Sequence, residues 1–324
     1  MKTLIIGAGP LGGLYAYLLH RAGKDVTLLA RGAHYDFLKK NGLILVNAFT
    51  EKRVVEKVNV IDRLHEEDAY DLVIVLMRKN SVLKLLPALS RYKGLHHFLF
   101  MGNNTARFDE YTRHLPAEKI LFGFPGGGGS RLDHEVHYVD SEKPKGARMP
   151  VTIGEMDGMI RERTLEIKSL FESSGVPVNI VDDIDSWLKY HVAFVLPVAG
   201  ALLRSGDNYQ LAKDSATIRE YIMAVKEAGK VLKVLGYRKS YNPKFRLFYL
   251  FPAWLLGKIL RKVFDSKFAE VAMMMHVNAA GDEMAELTRE FHALKKESGV
   301  ATPHFDKLMS QIGNRKVENA HLNV

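Results

Sequence analysis

The chain contains no cysteine. That absence excludes a disulfide framework, a thiolate zinc site and a cysteine nucleophile together, and it fits a reducing compartment. Low-complexity tracts and fixed-period repeats are also lacking, which sets aside disordered and solenoid architectures. The N-terminal segment shows neither the longer apolar run nor the small-residue cleavage site of a signal peptide, so a cytoplasmic protein is expected. One apolar stretch, residues 245–262, is too short and too interrupted by Pro252 and Lys258 to cross a bilayer comfortably. Its leading reading is core packing or a dimer contact. The alternatives are the lining of a large apolar substrate pocket or contact with a membrane surface.

What is present is ordinary for a folded protein: 324 residues, 47% apolar and 26% charged, long enough for two domains. The formal charge is +9, yet the basic residues form no recognisable nucleic-acid-binding module, so no nucleic-acid partner is expected. A small molecule carrying phosphate or carboxylate is the partner such a surface favours, with scattered solvated lysines as the plainer account. No metal is expected, and the chain is read as a monomer or homodimer.

Thr3-Leu4-Ile5-Ile6 is a continuous apolar run of the kind found in a strand covered on both faces. Gly7-Ala8-Gly9-Pro10-Leu11-Gly12 follows directly, then a helical pattern to about Gly23, then a second strand over residues 25–30. In that strand–turn–helix setting, G-x-G-x-x-G is a dinucleotide-binding signature. Gly7 permits the tight turn, Gly9 lets backbone approach a pyrophosphate, and Gly12 lets helix and strand pack closely. The new helix offers free N–H groups and its positive dipole end to the diphosphate. The second strand ends Leu29-Ala30-Arg31-Gly32, without the carboxylate that NAD enzymes place there. Arg31 can grip a 2′-phosphate through its planar fork, so NADP(H) is the expected cofactor. A surface arginine without that role is the alternative.

Strand and helix go on alternating: a strand over 71–76, a helix over 81–89, and strands over 97–101 and 119–123. Residues 42–61 look like a hairpin with valine-rich arms. Pro125 to Ser130 lacks the Lys-Ser/Thr ending of a Walker motif, so its glycines are read as a close backbone approach to cofactor or a neighbouring strand. Residues 134–139 and 150–154 suggest antiparallel strands joined through Pro144 and Gly146. A helix over 161–173 and a short strand over 176–181 complete this half. The pattern is helical from Asp183 onward, with Asp182 and Asp183 as possible caps and Pro197 as an expected kink. A second long helix is expected from about Lys267 to Glu297. On it Ala269, Met273, His276, Ala280, Glu283 and Leu287 share one face. His276 and Glu283 interrupt that apolar stripe, which marks either a site or a stripe edge in solvent.

The reading is therefore an α/β Rossmann N-terminal domain, residues 1–182, followed by an all-α C-terminal domain, residues 183–324, for substrate and dimer contacts. On these segments the chain resembles the ketopantoate reductase (2-dehydropantoate 2-reductase) family over nearly its whole length. The matching residues are Gly7 to Gly12, Arg31-Gly32, Leu76-Met77-Arg78-Lys79, Asn103-Asn104, Trp187-Leu188-Lys189 and Glu283. The resemblance implies NADPH binding by Gly7, Gly9, Pro10, Leu11, Gly12, Arg31, Arg78, Lys79 and Asn103. It implies substrate binding by Asn103 and Glu283, with Lys189 as general acid beside Glu283, and His276, singled out by the interrupted stripe, is a further substrate-binding candidate. The implied reaction is reduction of a 2-keto acid, 2-dehydropantoate to pantoate first, a step of pantothenate biosynthesis. The chemistry suits a lysine, because a buried ammonium stabilises the developing oxyanion and supplies its proton. Lys189 faces the apolar side carrying Val192, Ala193 and Leu196, with snorkelling to solvent as the alternative. The chain departs from the family where Ala193 and Pro197 replace asparagines, and the family's serine for the substrate carboxylate has no registered counterpart, Ser266 lying nearby but out of register. Two other readings stay open: a dehydrogenase of the same fold for a bulkier apolar substrate, and a non-catalytic NADP(H)-binding sensor.

Overall fold

An apolar tetrapeptide becomes an interior strand when both its faces are covered, and Thr3–Ile6 does so with all four residues buried. The computed structural model describes residues 1–237 and 243–321. It divides into two units: residues 1–102 with 107–184, and residues 103–106 with 185–324.

In chain order the first unit runs β1 (Thr3–Ile6), α1 (Pro10–Arg21), β2 (Val26–Leu29), α2 (Gly32–Asn41), β3 (Leu43–Asn47), β4 (Arg53–Glu56), β5 (Asn59–Ile61), β6 (Tyr70–Val75), α3 (Lys79–Leu89), β7 (Leu95–Met101), α4 (Asp109–Thr112), β8 (Ile120–Phe124), β9 (Gly128–Leu132), β10 (Glu135–Val139), β11 (Val151–Glu155), α5 (Glu162–Glu172) and β12 (Val178–Ile180). Eight strands form one sheet in the order β12-β11-β8-β7-β6-β1-β2-β5, parallel except where β11 meets β8. The strand order reverses at β1, which has β2 on one side and β6 on the other. Sheets of this kind take ligands at such a switch point, outside the carboxyl ends of the strands. A second sheet, β4-β3-β10-β9, lies on α1. Contact there is close: a Cβ on Gly13 would stand 3.1 Å from Val136 and 3.2 Å from Leu43.

Two expectations are corrected here, and one helix lay outside them. Residues 42–61 do contain a hairpin, β3 with β4, but Asn59–Ile61 leaves it and pairs in parallel with β2. The strands near 134–139 and 150–154 do not pair with each other. β10 lies between β9 and β3 in one sheet, and β11 lies between β8 and β12 in the other. The connecting loop keeps only an isolated bridge, Ser141 to Arg148, as it crosses between sheets. Helix α2 was not foreseen, because it buries only His34 and Leu38, too thin a stripe to read as amphipathic.

Every described element of the second unit is helical: α6 (Ile184–Ser205), α7 (Asn208–Lys213), α8 (Ser215–Val234), α9 (Pro243–Leu250), α10 (Ala253–Phe264), α11 (Lys267–Ala269), a π-helical turn over Glu270–Met274, α12 (Met275–Ala279), α13 (Gly281–Ser298) and α14 (Pro303–His321). Its core joins Leu196, Tyr221, Val225, Leu287, Phe291, Phe305 and Leu308. By length and composition α6 could cross a bilayer, but 72% of its apolar window is buried inside the protein, so it serves as a core helix. The core-packing reading of residues 245–262 holds for one face, since Phe245, Phe248, Leu256 and Leu260 are buried in this core.

The single helix expected from Lys267 to Glu297 is broken. A π-helical turn inserts a residue into the register, and Ala280 leaves helical geometry at φ −119°, ψ 35° before α13 begins. Ala269, Ala280, Glu283 and Leu287 stay buried, whereas Met273 and His276 come out half-buried. The break gives Glu283 the third position of a new helix, where the positive dipole end favours a carboxylate.

Candidate active site

The three glycines of the turn face different surroundings. Gly7 adopts φ +113°, and a Cβ there would fall 2.3 Å from the Leu76 carbonyl oxygen at the end of β6. Gly12 is tighter still, because a Cβ would meet the Gly7 oxygen at 1.8 Å. Gly9 caps α1 and faces open space, since a Cβ at that position would find nothing within 4 Å. Two positions are thus glycine for packing, and one leaves room for an incoming group. Pro10 takes the first helical position, which needs no N–H donor. Gly127 and Gly129 let β9 pass close to Leu11 and Pro10, so the glycine run does allow a near approach of backbone to α1.

Of the basic candidates in this unit, Arg31 is the exposed N-cap of α2 and Arg78 the exposed N-cap of α3. Lys79 turns the other way. It is 2% exposed, and its Nζ lies 3.2 Å from Glu110 Oε2. Arg131, which no sequence signal singled out, donates from β9 to the Ala8 carbonyl in the glycine turn at 3.2 Å. Beside it His34 meets His134, Nδ1 to Nδ1 at 3.0 Å. Burial, with Arg131 and His134 alongside, pushes the His34 imidazole down to about 4.

That shift has a stability consequence. An unfolded histidine takes up a proton near 6.5, whereas native His34 stays neutral to about 4. Stability from this group is therefore present above 6.5 and lost as pH falls toward 4, a loss of about 2 kcal/mol by pH 5. Urea denaturation at pH 7.5 and pH 5 should show a larger drop for the wild type than for His34→Gln. Equal drops would remove His34 as the cause.

The second unit gathers the other candidates. Lys189, on α6, is fully buried, and its Nζ pairs with Asp185 one turn earlier. The same nitrogen lies 4.8 Å from the centre of the Tyr237 ring. Asp185 was legible in principle, since an acid four residues before a lysine faces it on a helix. Ala193 and Pro197, one and two turns further along α6, are buried and apolar. Asn103 belongs to this unit rather than to the sheet it follows. Its Nδ2 donates to Glu283 Oε1 at 3.4 Å, and His276 Nε2 lies 3.7 Å from Glu283 Oε2. Asn103, Glu283 and His276 are thus brought together. The Oδ1 of Asn103 is buried with no hydrogen-bond donor beside it, a cost that a bound donor would remove. Ser266 is committed elsewhere, capping α11 through Ala269 N.

Glu290 is a residue that sequence reading missed. It is 6% exposed on α13 and accepts from Thr105 N at 3.2 Å, Thr105 Oγ1 at 2.6 Å and Ala106 N at 3.1 Å. This one carboxylate ties the 103–106 segment to α13, two turns beyond Glu283.

Sheet, glycine turn and helical unit define a class: a protein with a dinucleotide-binding type of sheet domain followed by an all-helical domain. The family model Ketopantoate reductase PanE/ApbA matches residues 3–150. A 2-dehydropantoate 2-reductase of Mesorhizobium japonicum is 28% identical over 209 residues, covering 58% of this chain and 63% of that protein. The match thus spans less than two thirds of that relative's length. The 2-dehydropantoate 2-reductase of Aquifex aeolicus is 24% identical over 338 residues, with 98% of each chain covered. Two solved structures share the fold at 20% identity. One is 2-dehydropantoate 2-reductase from Geobacter metallireducens GS-15, with TM-score 0.78 over 97% of this chain and 100% of that one. The other is D-mandelate dehydrogenase with NADH and anilino(oxo)acetate, with TM-score 0.76 over the whole of both chains. Residues 3–150 thus match the ketopantoate reductase family model, and the relatives to which the chain is similar are named 2-dehydropantoate 2-reductase.

Proposed function

We propose that this protein is an NADPH-dependent reductase of a 2-keto acid, with 2-dehydropantoate the first candidate substrate. The observation that carries the reading is Lys189, a fully buried amine paired with Asp185 in the unit that also presents Asn103 and Glu283. A lysine is rarely taken wholly out of water without a task, since burial of its charge is costly. The cofactor fits the first unit: Gly9 faces open space at the start of α1, and no carboxylate stands at the end of β2. Gly7, Gly9, Pro10, Leu11 and Gly12 would hold its diphosphate, and Arg31 its 2′-phosphate. Arg78 would add positive charge, whereas Lys79 is spent on Glu110, and Asn103 would meet the nicotinamide end.

NADPH, when bound, supplies a hydride to the carbonyl carbon. The protein's own part is electrostatic. Lys189 Nζ donates a hydrogen bond to the carbonyl oxygen, stabilises the charge that builds there and delivers the proton. Asp185 offsets the buried charge of the amine and holds its direction. Glu283 accepts from a substrate hydroxyl, steadied by the Asn103 amide and by His276.

The test is a steady-state screen of 2-keto acids with NADPH and then with NADH. NADPH is the expected reductant. Arg31→Ala should raise the KM for NADPH about 10- to 100-fold, the range of a lost charge-assisted phosphate contact, and leave that for NADH unchanged. Equal effects on both nucleotides would remove the phosphate-binding role. A second reading concerns the substrate alone. Ala193 and Pro197 make the wall beyond Lys189 apolar, which suits a bulkier keto acid such as an aryl one, as the likeness to D-mandelate dehydrogenase suggests. Preference in the screen decides between them. Tight NADPH binding with no turnover on any keto acid would leave only a nucleotide-binding sensor.

A further inference from the structure

Helices α9 and α10 meet at Pro252, which caps α10, and the two faces of this elbow differ in kind. The inner face fills the core with Phe245, Phe248, Leu256, Leu260 and Phe264. The outer face carries the two most exposed large apolar side chains among the described residues, Leu250 at 73% and Trp254 at 65%. Ile259 at 40% continues it, and exposed Arg246, Lys258, Arg261 and Lys262 flank it. Between residues 243 and 264 the sequence holds five basic residues and no acidic one. Lys258 Nζ lies 5.3 Å from the centre of the Trp254 ring, so charge and indole share one patch.

Single exposed apolar residues are commonplace, but a cluster at a helix elbow marks a contact surface. We propose that the α9–α10 elbow docks on an anionic lipid bilayer, with Leu250 and Trp254 inserted at the headgroup level and the basic side chains on acidic headgroups. The charge pattern selects this occupant. An isologous contact with a second copy would press a cationic patch against itself, whereas an anionic membrane neutralises it. Tryptophan suits the interface, with an apolar body and an N–H that stays hydrated. The docking stands whatever the substrate is.

Flotation of the full chain with vesicles tests it. Binding is expected to phosphatidylglycerol vesicles, weakened by added salt, and to be at least about tenfold weaker on phosphatidylcholine alone. The double variant Leu250→Ser/Trp254→Ser should lose at least about tenfold in affinity for the anionic vesicles while keeping its thermal midpoint and NADPH affinity. No binding to phosphatidylglycerol, or equal binding by the variant, overturns the proposal. Light scattering that shows a wild-type dimer dissolved by the same substitutions also overturns it, making the elbow a subunit contact. A variant that fails to fold is replaced by Lys258→Glu/Lys262→Glu, which should abolish the anionic preference; retention of that preference sinks the idea.

Discussion

Replacing Lys189 with methionine is expected to cut keto acid turnover about a thousandfold, within the range for loss of a general acid, and to leave NADPH affinity within about threefold of wild type. Methionine keeps the length and apolar stem of lysine in a position with no solvent exposure, so the core around α6 should stay filled. The substitution strands Asp185, but that carboxylate is 30% exposed and can be hydrated. The split between lost chemistry and kept binding is the informative result. Turnover within tenfold of wild type would mean that another group delivers the proton.

The second large effect is expected from Glu290, which acts at one remove. Its carboxylate is the acceptor for three donors of the 103–106 segment. Glu290→Ala leaves those donors buried without an acceptor, at about 1–3 kcal/mol for each group left unpaired. The segment should detach from α13 and carry Asn103 away from Glu283. The KM for the keto acid should rise at least about tenfold, with a smaller fall in kcat, because the residue positions rather than reacts. Glu290→Gln keeps one carbonyl acceptor and should recover most of the KM. A variant that only melts earlier, with KM and kcat unchanged in the folded fraction, would reduce Glu290 to a structural tie.

These two residues also show what the sequence could and could not reveal. Lys189 was readable because a charged residue on an apolar helix face stands out against its neighbours. Glu290 was not, because its partners Thr105 and Ala106 are 185 and 184 positions away and nothing local couples them. The glycine turn was legible because Gly7 and Gly12 answer backbone demands set by the next parallel strand and within the turn itself, while Gly9 leaves open space. Strand partners were less so. Two β segments close in sequence, near 136 and 152, sit in different sheets because partner choice is tertiary. The late helix misled for a different reason. Met, Ala and Glu dominate residues 269–287 and all favour helix, so the π-helical turn left no local sign and the break at Ala280 only the weak helix formers Asn278 and Gly281. That break nonetheless puts Glu283 in the first turn of α13, and the site depends on it.

Under the proposed function, this protein moves a hydride from NADPH to the carbonyl carbon of a 2-keto acid. Supplying NADPH deuterated at C4 on the transferred face, and weighing the product by mass spectrometry, reads that step directly. One deuterium at C2 of each 2-hydroxy acid molecule is the expected outcome, in step with NADPH consumed. Unlabelled product, or no product from any keto acid while the nucleotide binds tightly, would contradict it.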